Sequence, residues 1–252
     1  MANGNTVGAI PYYLGGGSSI TSALTGFGSD QIISARVVTA KGDLLTVTED
    51  QHSDLLWALR GAGTFFGLVT QLVIRAYPFS ALGNDEGIIW SGVFVFPLAR
   101  AREVTSVMKV LMDDSRYATG GLIMVMAPPP AQKPSILVAG RYFGDLKAAK
   151  DAYKGLHDLG PIVVLGGEVP IQNVSDGREA ASAKGGFKAF GTVGLQNFDQ
   201  ENFLKTIDIW KELIAECPDA INTSFNFQWD SQPVKSLGID SAMSHHDIRY
   251  WQ

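Results

Sequence analysis

The chain has 252 residues, 46% hydrophobic and 18% charged, a globular composition with enough length to bury a sizeable core. Its net charge of −5 comes without a Lys/Arg stripe, which argues against a nucleic-acid partner. The single cysteine, Cys217, rules out an intrachain disulfide and paired thiolate ligands, and no His/Cys/Asp/Glu set has metal spacing. Every apolar run is broken by Gly, Pro or charge short of membrane-spanning length, and the first residues lack a basic stretch followed by an apolar one. A soluble, cytoplasmic protein with no membrane partner is the expectation.

In chain order, the apolar stretch Val7 to Leu14 reads as a strand or a packed loop. It leads into Gly15-Gly16-Gly17, where the lack of Cβ atoms permits a tight turn and close approach. Residues 18–24 read as a short helix stopped by Gly26. Residues 31–40 and 44–48 alternate as two arms of a hairpin around Lys41-Gly42-Asp43. Residues 50–60 carry Leu55, Leu56 and Leu59 on one helical face, a second glycine-rich turn follows with Gly61, Gly63 and Gly67, and 68–77 is a strand closed by Pro78. Beyond Pro78 the pattern alternates between strands (87–96, 121–127, 135–143, 162–166, 187–194, 221–229) and helices (99–113, 146–159, 200–216). Strands separated by long helices on an antiparallel sheet predict an α+β fold with helices on one face, in two domains, 1–78 and 79–252. The two glycine turns predict a surface shaped to lie against something flat or charged.

Several motifs between Gly15 and Thr70 resemble the flavin-binding domain of the FAD-linked oxidases related to berberine bridge enzyme. The triple glycine, Gly28-Ser29-Asp30-Gln31-Ile32, Val37-Val38-Thr39-Ala40-Lys41-Gly42, and Ser53 to Gly61 followed by Phe66-Gly67-Leu68-Val69-Thr70 match that family in order and spacing. The resemblance implies part of a PCMH-type (vanillyl-alcohol oxidase) FAD-binding module followed by a substrate domain. It also implies that Gly15, Gly16, Gly17, Gly61, Gly63 and Gly67 approach FAD closely. The tail, Asp240 to Asp247, is similar to a degenerate form of the family's Pro-His-Arg segment on a substrate-facing strand. In that alignment Asp240 takes the place of a catalytic carboxylate and His245 that of the histidine, while Ser244 and His246 stand for the proline and arginine. Family members extend further at both ends. The subdomain that wraps the adenine and pyrophosphate, with its flavin-attaching histidine, has no counterpart here, and the second attachment residue falls near Gly4. Met1-Ala2 reads as a natural start, with a fragment boundary or a mispredicted gene as the alternative.

On an extended tail, His245 and Asp247 share one face and His246 and Tyr250 the other, so Asp240, His245, Asp247 and Tyr250 are the candidate acid–base residues. The plainer readings are a turn for Asp240, exposed or structural histidines, and packed turns for the glycines. The leading expectation is an enzyme of natural-product metabolism from this lineage that works without a cofactor. It would orient an apolar small molecule for cyclisation or double-bond isomerisation. The first alternative is an FAD-dependent oxidoreductase whose cofactor site is completed by other segments. The second is a non-catalytic binding subunit, and a homodimer would bury the surface left open where longer family members continue.

Overall fold

The computed structural model describes Gly4, residues 7–177 and residues 189–252. The chain forms two compact units. The first runs to Ala81 and also takes in a stretch beginning at Gln172 and the segment Val234–Asp247; the second holds most of the remainder. The tail expected in the second domain therefore packs within the first unit.

The first unit is built on a three-stranded antiparallel sheet, order β2-β1-β3, from β1 (Ile32–Val38), β2 (Leu44–Val47) and β3 (Leu68–Ile74). The β1–β2 turn closes with the Thr39 amide donating to the Asp43 carbonyl at 2.9 Å, and Gly42 at φ 88° supplies the left-handed residue the turn needs. Period-2 alternation turns Ala35, Val37, Val47 and Val69 to one face, where they pack against Leu56 and Leu59 of α3 (Ser53–Ala62) and Leu14. Leu14 ends a helix, α1 (Ala9–Leu14), rather than a strand or loop. Pro11 stands in its first turn, where a missing N–H costs nothing. The second helix, α2 (Ser22–Thr25), starts later than the sequence predicts because Ser19 and Ser22 exchange side-chain bonds with the backbone ahead of it.

The second unit is a seven-stranded antiparallel sheet in the order β7-β4-β6-β5-β9-β10-β8. Its strands are β4 (Ile88–Pro97), β5 (Ala118–Met126), β6 (Ser135–Phe143), β7 (Val163–Pro170), β8 (Gly194–Leu195), β9 (Phe225–Asp230) and β10 (Tyr250–Trp251). One face carries Phe94, Phe96, Ile123, Val125, Ile136, Val138, Phe227 and Trp229 into the core. That core is closed by α4 (Ala101–Asp113) through Val104 and Met108, and by α7 (Gln200–Glu216) through Phe203, Ile207 and Trp210. The fold is α+β with helices on one face of an antiparallel sheet, as the pattern predicts.

Other elements also differ from the sequence reading. The helix expected over 146–159 is interrupted at Tyr153, leaving α5 (Ala149–Ala152) and α6 (Lys154–Asp158). The strand expected from 221 starts at Phe225, because Pro218–Asn222 winds into a 3₁₀ turn. Of the strand expected over 187–194, residues 187 and 188 lie outside the described residues, and the paired strand starts at Gly194.

Candidate active site

The candidate site is the end of α3 and the tail that crosses it. Arg60 (φ −79°, ψ 67°) and Gly61 (φ 121°, ψ −25°) leave helical geometry, which releases carbonyls of the last turn. The Trp57 carbonyl accepts the Ala242 amide at 3.2 Å. Gly61 makes that approach possible: a Cβ there would lie 2.7 Å from the Met243 nitrogen and 2.8 Å from its Cα. The Trp57 indole N–H then donates to Oδ1 of Asp240 at 3.0 Å. Arg60 itself turns inward and is buried, its Nε and Nη2 donating to the Ile32 carbonyl at 3.0 and 2.8 Å.

The far end of the tail is fixed to Asp30. Nδ1 of His246 lies 2.9 Å from the Met243 carbonyl, which can only accept, so Nδ1 is the donor. Nε2 is turned to the Asp30 carboxylate, 3.1 and 3.2 Å from its two oxygens. Asp30 is 2% exposed and also accepts from the Phe27 amide at 3.1 Å, and the Phe27 ring meets the imidazole edge-on.

Asp240, His245 and Asp247 lie on this one tail, all three exposed. The tail is not a strand: its residues form bends and a turn at His246–Asp247, so the alternation of faces expected for His245 and Asp247 does not apply. Its backbone is engaged with α3 instead of a neighbouring strand. Tyr250 lies in the second unit, 1% exposed, its ring 5.3 Å from that of Phe227, and burial pushes its phenol up to about 12. It is a core residue that stays protonated at neutral pH.

The glycines divide their surroundings. At Gly16 a Cβ would meet Met243 Sδ at 3.0 Å, at Gly17 Tyr12 and Gly28 at 2.9 Å, at Gly63 Leu14 Cδ2 at 2.6 Å, and at Gly67 the Val38 carbonyl at 2.7 Å. At Gly15 the Pro11 carbonyl lies at 3.2 Å. The bare sides are thus filled by the chain itself. The amides are another matter: those of Gly16 and Gly17 donate to no acceptor among the described residues, although Gly16 is buried. Two neighbouring N–H groups without partners, one of them away from solvent, fit the acceptor-rich edge of a bound flavin or an anion.

Sequence reasoning missed a buried ion pair in the second unit. Arg141 on β6 binds Asp230 on β9, with side chains 6% and 14% exposed. A Cβ on the intervening Gly120 would run into Asp230 Oδ1 and the Arg141 guanidinium, so the glycine makes the room. Burial pushes the Asp230 carboxyl upward, against the pull of Arg141. An arginine inside an otherwise apolar strand, next to Gly140, was the available signal. Among the described residues no group of three His, Cys, Asp or Glu side chains could hold a metal, and no helix is long and apolar enough to cross a membrane.

The fold is that seen in berberine bridge enzyme-like oxidases. Physcomitrella patens BBE-like 1 superposes with a TM-score of 0.72 at 17% identity, covering 98% of this chain and 54% of that one. A chitooligosaccharide oxidase gives 0.69 at 19% identity, covering 100% and 55%. By sequence the chain is a relative of the FAD-linked oxidoreductases. One from Aspergillus fumigatus is 26% identical over 98% of this chain and 54% of its own length, and one from Emericella nidulans is 28% identical over 88% and 46%. A Gibberella zeae relative reaches 43% identity over 36% of this chain and 18% of its own length. No protein-family model matches. The chain spans about half the length of these curated relatives. The resemblance read from Gly15 to Thr70 holds. The expectation of a cofactor-free enzyme finds no support in relatives whose names carry FAD.

Proposed function

We propose that the chain is part of an FAD-linked oxidoreductase acting on a flat, apolar small molecule, with Asp240 as the group that takes a substrate proton. The observation that carries this reading is the pair of amides at Gly16 and Gly17 with no acceptor among the described residues, in a chain whose relatives are named FAD-linked oxidoreductases. Those amides would hold an acceptor edge of FAD, which when bound supplies the two-electron acceptor. The remaining work belongs to side chains. The Trp57 indole fixes Oδ1 of Asp240 and leaves Oδ2 to receive a proton, and its 44% exposed ring offers a stacking surface beside that carboxylate. The clamp of His246 on Asp30 holds the tail in register, so that Asp240 meets Trp57.

A second reading keeps the proton transfer and drops the redox step: Asp240 takes a proton and returns it elsewhere, giving cyclisation or double-bond isomerisation. The observation in its favour is that Met243 covers the bare sides of Gly16 and Gly61, where a ligand could otherwise approach. Both readings require Asp240. Asp240→Asn keeps the bond from Trp57 and removes the base, so turnover falls by about 10²–10⁴-fold with little change in thermal stability. Undiminished turnover would remove Asp240 from the mechanism and leave a binding role as the better account.

A further inference from the structure

We infer a second small-molecule site in the helical layer of the second unit, built for a flat aromatic body that carries an ammonium group. A cavity of about 400 Å³ opens between α4 and the α5–α6 pair, within the ~300–1,000 Å³ range of ligand pockets. Three features border it. The helix breaks at Tyr153, whose buried hydroxyl donates to the Arg141 carbonyl, and Gly140 seats that ring: a Cβ there would lie 2.7 Å from the Tyr153 hydroxyl. Gly155, the second residue of α6, lets α6 approach α4, since a Cβ there would lie 2.9 Å from Val107 Cγ1. Val110, at the cavity, is 72% exposed, an apolar side chain left in water beside a hollow.

The walls are apolar, from Val107, Leu111, Tyr153 and Leu156. The charges lining the cavity do not cancel. Asp114 is committed to Arg116, which it holds through two bonds of 2.9 and 2.7 Å, and Arg116 also lies over the Tyr117 ring at 5.4 Å. Asp151 has no ion-pair partner among the described residues. An apolar cavity edged by one carboxylate that no described residue pairs selects a cation on an aromatic frame.

The test uses the full chain titrated calorimetrically with tryptamine and with its uncharged analogue 3-ethylindole. One saturable equivalent of tryptamine is expected. Asp151→Asn, at an exposed position, should weaken tryptamine about fivefold, the scale of an exposed ion pair, and leave 3-ethylindole unchanged. Val110→Trp should block both while the melting temperature holds. Absence of saturable binding, binding indifferent to Val110→Trp, or equal effects of Asp151→Asn on the two probes would each overturn the assignment.

Discussion

Tyr250 shows how burial settles a chemical role. Its phenol ordinarily titrates near 10 and is pushed up to about 12 by burial, with Arg249 over the ring pulling the other way. Between those values the folded chain keeps a proton that the unfolded chain has lost, so stability falls as pH rises through that window. Tyr250→Phe should make the loss of stability between pH 10 and 12 shallower and leave neutral-pH stability little changed, as followed by denaturant melts across that range. An unaltered slope would contradict it. At this scale the sequence was partly legible. Asp240 and His245 stood out through their place in a motif. Asp30 lay within a matched motif, but its pairing with His246, 216 positions away, was not legible, and Arg141 and Asp230, 89 apart, meet only through the β6–β5–β9 register.

At the scale of elements, α7 and β6 match the sequence pattern in both bounds: α7 carries an uninterrupted helical stripe, and β6 is an apolar run buried along most of its length. The elements that escaped were those shaped by a distant partner. Tyr153 breaks a helix to reach Arg141, and the tail gives up strand geometry to bond with α3. The break in α3 is the hinge of the candidate site, and Gly61 is its most sensitive residue. At φ 121° an L side chain is strained, and its Cβ would strike the Met243 backbone at 2.7 Å. Gly61→Ala should cost about 1–3 kcal/mol and speed hydrogen exchange at the Ala242 amide, where the tail is bonded to Trp57. Unchanged exchange there would mean that the tail is held by other contacts. The Asp30–His246 clamp is the first to examine in that case.

For the whole molecule, the glycine turns present two kinds of surface in one backbone. Their bare sides serve packing against Met243, Tyr12, Leu14 and Val38, while the amides of Gly16 and Gly17 have no acceptor among the described residues. The motif therefore identified the lineage at the level of sequence, yet the tail that lies against Gly16 and Gly61 could not be foreseen from it. Some 180 residues separate Gly61 from Met243, and no local pattern links them. The proposed chemistry turns on whether those amides face a flavin. An absorbance spectrum decides it, taken on the purified chain after incubation with FAD and removal of unbound cofactor. A retained flavin band in the blue is expected. It should weaken when the Gly16 and Gly17 amides are replaced by esters, which removes both donors and keeps the glycine backbone at its φ of 106° and 76°. A colourless protein that still converts its substrate without oxygen would contradict flavin binding and establish proton transfer as the whole of the chemistry.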